Sequence, residues 1–84
     1  MQLKIYSIRD SKSECFTQPF FQHTAGEAER NFKTLVNDEK STQNKYPEDF
    51  SLWEIGNYDD NTGKITPIEP HHVVNAVQLI QKVQ

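Results

Sequence analysis

The stretch FSLWEIGNYDDNTGKITPI, residues 50 to 68, constrains this chain more than any other: two β-rich runs are joined by a cluster of Asp, Asn, Thr and Gly. Clusters of that kind between apolar runs turn the chain. With Asp60 opening the turn, Asn61 and Thr62 at its centre and Gly63 taking the positive φ of a bulge, the spacing predicts a β-hairpin and hence antiparallel pairing. A calcium reading of the same residues fails. An EF-hand loop beginning at Asp59 requires glycine at its sixth position and glutamate at its twelfth, and Lys64 and Pro70 stand there. Strands are expected near 50–58 and 64–68, and Pro67, which cannot donate to a ladder, places the second at an edge or marks its end.

The N-terminal half supplies the partners for this hairpin. QLKIYSI places Leu3 and Ile5 on one face and Tyr6 and Ile8 on the other, the pattern of a central strand near 2–9. After the polar break RDSKSE, Cys15, Phe16 and Thr17 return as a strand near 14–18 that Pro19 ends. In HTAGEAERNFKTLVND, Thr24 and Glu27 form a capping box, and Ala25, Ala28, Phe32, Leu35 and Val36 make one apolar stripe, which predicts a helix near 24–37. Residues 37–49 are polar, contain Pro47 and read as a loop with room for one helical turn. Pro70 suits a first helical turn, and Val73, Ala76, Val77 and Ile80 recur at helical spacing, so a second helix is expected near 70–82. The order is ββαββα: a small α+β domain with a four-stranded antiparallel sheet and two helices packed on one face.

With 84 residues the chain holds one domain, 1–84, with a single small core. The lone Cys15 cannot make an internal disulfide and fits a reducing compartment. The start lacks the apolar region of a signal peptide, and no run approaches the roughly 18 apolar residues of a membrane span, so a cytosolic protein with no membrane partner is expected. Chemistry finds no good candidate. His71 and His72 are adjacent while His23 is distant, and neither helical metal spacing nor a second cysteine accompanies them. Cys15 lacks a nucleophile signature, and the pairs Asp59/Asp60 and Glu48/Asp49 sit in polar turns where water screens them. No enzyme activity, metal or cofactor is expected.

A net charge of −3 counts against an autonomous binder of nucleic acid, but a local constellation fits one. Lys4, Tyr6, Arg9 and Lys12 lie along the first strand and its loop, and Tyr58 and Lys64 flank the second hairpin. Rings on a sheet with cations at its margin bind single strands without strong sequence preference, bases stacking while cations follow phosphates. Those six residues are the candidate nucleic-acid-binding set. Val74 and Leu79 fall off the apolar stripe of the expected C-terminal helix, a surplus that a homodimer would bury.

The runs IYSIRDSK, PFFQHTAGEAERNFKTLVND and KYPEDFSLWEIGNYDDNTGKI, with GEAER, LVND, PEDF and YDDNTG within them, cover nearly the whole chain. They resemble the small nonstructural protein of gokushovirus-type phages of the Microviridae. The resemblance implies a DNA-binding protein of phage DNA synthesis in the host cytoplasm. Single-stranded DNA is the expected ligand, engaged during genome synthesis or packaging. It brings no binding residues with it. A protein-interaction adaptor that binds a phage or host replication protein is the alternative, favoured by the negative charge.

Overall fold

The strand β1 (Gln2–Asp10) organises the fold because it is apolar on both faces: Ile5, Tyr6 and Ile8 are each at most 8% exposed. The computed structural model describes residues 1–81. Along one side β1 pairs antiparallel with β4 (Phe50–Asp59), from Gln2 opposite Asp59 to Asp10 opposite Phe50. Its other side is long enough for two short strands placed end to end. β2 (Cys15–Phe16) lies opposite Arg9 and Asp10, and β3 (Phe20–Gln22) lies opposite Lys4, Ile5 and Tyr6. β5 (Lys64–Asn75) pairs with the far side of β4 and closes the sheet. The antiparallel α+β architecture is therefore as expected, with a fifth strand beyond Pro19 that the sequence reading did not separate from loop.

The hairpin turn forms at the anticipated residues. Gly63 has φ 75° and its amide donates to the Asp59 carbonyl at 2.7 Å, while the Asp59 carboxylate accepts the Asn61 amide at 2.9 Å. The turn is thus held from Asp59 rather than opened by Asp60.

Two α-helices are present among the described residues, and neither is the second helix expected near 70–82. α1 (Ala25–Val36) starts as anticipated, with Thr24 Oγ1 accepting the Glu27 amide at 3.1 Å. α2 (Thr42–Lys45) is the single turn inside the 37–49 segment, capped by Ser41, whose hydroxyl accepts the Asn44 amide and donates to the Leu35 carbonyl. The helix expected near 70–82 is absent from the described residues, and its final position, 82, lies outside them. Instead β5 runs on through His71, His72, Val74 and Asn75, which pair with Glu54, Trp53, Leu52 and Ser51, and a 3₁₀ turn at Ala76–Gln78 follows. Backbone groups of β4 needed partners there, and the ladder outweighed the local helical periodicity.

The core lies between the sheet and α1. Ala28, Phe32 and Val36 pack on Tyr6, Ile8, Phe50, Leu52 and Val74, with Ala76 beneath. Val74 is buried in this cluster and Leu79 packs against it. The apolar surplus that suggested a homodimer is absorbed within one chain.

Candidate nucleic-acid interface

Strand register decides which side chains share a face, since neighbours along a strand alternate. On β1, Lys4, Tyr6, Ile8 and Asp10 share the helix-covered face; Leu3, Ile5, Ser7 and Arg9 share the other. Pairing carries this division across the sheet. The uncovered face receives Phe16 opposite Arg9, Phe21 opposite Ile5, Trp53 opposite Ser7, Tyr58 opposite Leu3, and then Ile65 and His72 from β5.

A bulge makes this grouping possible. Strict alternation along β4 would put Trp53 and Tyr58 on opposite faces. Between Gly56, opposite Ile5, and Glu54, opposite Tyr6, the extra residue Ile55 shifts the register and brings both rings to the same side. Gly56 is required at this point: a Cβ there would lie 2.9 Å from the Thr66 carbonyl oxygen of β5.

The rings fall into two groups. Phe16 meets Trp53 edge-on at 6.1 Å between centroids, and Trp53 meets the His72 ring at 5.3 Å. Ser7, on the strand between Phe16 and Trp53, is fully buried and donates to the Thr17 carbonyl at 2.7 Å. The Arg9 guanidinium stands 5.9 Å from the centre of the Phe16 ring, a cation over a π face. At the other end Phe21 and Tyr58 meet edge-on at 5.3 Å. Phe16 and Phe21 are 41% and 43% exposed, far more than core rings, so part of this surface is open to a ligand.

Charge is divided between the two faces. Of the acidic residues with a strand partner, Asp10, Glu54 and Asp59 all belong to the helix-covered side. Among paired positions on the open side Arg9 is the one formal charge. A chain with net charge −3 therefore presents a sheet face whose paired positions hold no carboxylate.

The six residues singled out from sequence are dispersed by this geometry. Arg9 and Tyr58 share the open face, and Lys12 stands exposed in the turn after β1. Lys4, opposite Asn57, and Lys64, opposite Asp59, lie on the other face. Tyr6 is corrected outright. It is fully buried in the core, 6.0 Å from Phe20, so its ring is closed to any base. Its hydroxyl has no hydrogen-bond partner among the described residues. Burial, with the nearby Glu54 carboxylate adding to it, pushes that phenol above its ordinary range. Phe16, Phe21, Trp53 and His72 were missed. Their joint exposure depends on register and on the Ile55 bulge, for which Gly56 in a strand was the available signal.

His71 and His72 point to opposite faces, opposite Glu54 and Trp53, and His72 Nε2 lies 2.8 Å from Asn75 Oδ1. Adjacent in sequence, they do not share a ligand position. No helix of the described residues is long and apolar enough to cross a membrane.

Among protein-family models, the one described as Phage ORF5 protein matches residues 3–79, a span that takes in all the rings of the open face. Comparison with curated proteins and with solved structures gives no match.

Proposed function

Because this chain belongs to the Phage ORF5 protein family and is a phage protein, we propose that it is a nonstructural DNA-binding protein that holds single-stranded DNA on the open face of its sheet during viral genome synthesis or packaging. The observation that carries the reading is the pairing of an exposed phenylalanine with a half-buried ring, Phe16 with Trp53 and Phe21 with Tyr58, on a face free of paired carboxylates, with Arg9 over Phe16. Unpaired bases stack on such rings whatever their identity, and each stacked base contributes about 1–3 kcal/mol. Duplex DNA hides its base faces and is read by elements that enter a groove, chiefly helices. The outward side of α1 carries Glu27 and Glu29 beside Arg30 and Lys33, a mixed surface unsuited to a polyanion. The resemblance to gokushovirus-type phages of the Microviridae supports a single-stranded genome as the source of the ligand.

A gel shift with single-stranded and duplex DNA at several salt concentrations, alongside quenching of the single tryptophan, tests this directly. Preferential retention of single strands together with Trp53 quenching is the expected result. Absence of affinity at low salt, where attraction is strongest, removes the reading. The open rings then belong to a protein contact, either with a replication protein of phage or host or with a second copy of the chain. Sedimentation separates those two.

A further inference from the structure

The ring groups are separated along the strands, and the separation has a structural cause. Tyr58 lies opposite Leu3 and Trp53 opposite Ser7, four residues apart on the unbulged strand β1, or about 13 Å at about 3.3 Å per residue. Between them β1 and β4 offer Ile5 and Gly56, and no ring; Phe21 stands on β3 opposite Ile5, and its ring meets Tyr58. No ring can be placed at Gly56, since the Thr66 carbonyl already occupies the space of a Cβ. Within each group the rings run across the strands, from Phe16 on β2 to Trp53 on β4 to His72 on β5, and from Phe21 on β3 to Tyr58 on β4.

We propose that the two groups are separate stacking stations, occupied together by one single strand of DNA lying along β1 and β4 and spanning the stretch of those two strands that carries no ring. The inference rests on the reading of this face as a single-strand surface and specifies how that surface is used. A stacked strand advances about 3.4 Å per step, so about four steps, or about five nucleotides, cover the gap, and a drawn-out strand covers it with fewer. A dinucleotide has one such step and falls short even at twice that length. Once one station is filled, the tethered strand reaches the other as an intramolecular event at high effective concentration. The stations are chemically unequal. Arg9 stands at the Phe16 ring and no paired cation stands at Tyr58, so phosphate attraction belongs to the first station and stacking alone to the second.

The sole tryptophan lies in the first station and reports its occupancy. Quenching of Trp53 is titrated with dT2 and dT6, in the wild type and in a Phe21→Leu/Tyr58→Leu variant whose folding is checked by circular dichroism. The longer strand has more binding registers in both proteins, so the quantity compared is the dT6-to-dT2 affinity ratio. The wild-type ratio is expected to exceed the variant ratio by at least about tenfold. A second measurement needs only the wild type: a six-nucleotide strand with thymine at the two ends and abasic sites between. It is expected to bind within about threefold of dT6, less than the loss of one stacked base would cause. Equal ratios in the two proteins, or binding of the abasic strand at the dT2 level, overturn the two stations while leaving single-strand binding in place. No quenching by any of these strands at low salt overturns both.

Discussion

Glu14 occupies in the turn between β1 and β2 the position that Gly63 occupies between β4 and β5. Their φ angles are 59° and 75°, and each lies four residues after an aspartate, Asp10 or Asp59, whose carboxylate accepts the amide two residues on. The two hairpins share one turn design, but only one has the residue it favours. A side chain in the left-handed region costs about 1 kcal/mol or more, and glycine avoids that cost. Glu14→Gly is expected to stabilise the domain by about 1 kcal/mol and Gly63→Val to destabilise it by at least about that much. Urea denaturation of the pair measures both. Nothing lies within 4 Å of a Cβ built on Gly63, so the penalty there is one of backbone conformation alone. Added calcium is expected to leave the melting temperature unchanged, and a calcium-dependent rise would revive the metal reading of this loop.

Asn37, which ends α1, ties down the end of the described chain. Its side-chain amide donates to the Leu79 carbonyl at 3.0 Å and its oxygen accepts the Gln81 amide at 2.6 Å. Asn37→Ala removes both bonds and should cost about 1–2 kcal/mol. Hydrogen exchange should speed up at Leu79 to Gln81 before it does so elsewhere. Uniform acceleration across the domain would mean that the tie holds the whole fold rather than this segment.

Tyr6 yields a test in the opposite direction. Because its buried hydroxyl has no partner among the described residues, Tyr6→Phe should leave stability at neutral pH unchanged or raise it by up to about 1 kcal/mol. DNA affinity should not change. At alkaline pH the two proteins diverge. The phenol titrates higher in the folded chain than its unfolded value of about 10. Above that value the unfolded chain releases a proton that the folded chain keeps, so wild-type stability falls as pH rises toward the folded value. Tyr6→Phe lacks that part of the fall, and the difference between the two stability curves isolates it from the other tyrosines. Parallel curves from pH 9 to 12 would contradict the burial of this ring.

Single-strand affinity should separate stacking from charge. Trp53→Ala is expected to weaken binding by about 1–3 kcal/mol with little change in salt dependence. Arg9→Ala is expected to lower the slope of log affinity against log salt by about 0.7. Lys64→Ala, on the helix-covered face, should alter both far less than Arg9→Ala. A larger loss at Lys64 than at Arg9, measured under the same salt series, would place the ligand on the wrong face for this proposal.

The residues legible from sequence were those whose structure is decided locally. Thr24 and Glu27 announced the start of α1, and Gly63 announced its turn. The alternation of Leu3 and Ile5 against Tyr6 and Ile8 matches the two faces of β1. What local pattern did not carry was pairing. The 70–75 segment has helical apolar spacing and a proline suited to a helix start, yet it serves as a strand because β4 offers an unfilled edge there. Tyr6 and Tyr58 were grouped by residue type, whereas register puts one in the core and the other outside. Phe16 and Phe21 join Arg9 and Tyr58 through pairing with β1, and Trp53 and Tyr58 come to one side only once the Ile55 bulge has set the parity of β4.

The irregular course of β5 has a consequence for life at high concentration. An exposed strand is a template on which further chains add, edge to edge, until they aggregate. β5 is a twelve-residue edge, long enough to be a hazard, but Pro67 and Pro70 remove two amide donors and its register against β4 shifts twice within it. A second chain laid along it would find neither a continuous row of donors nor a straight ladder. The protein can thus leave one broad face of its sheet open without its rim seeding a fibre.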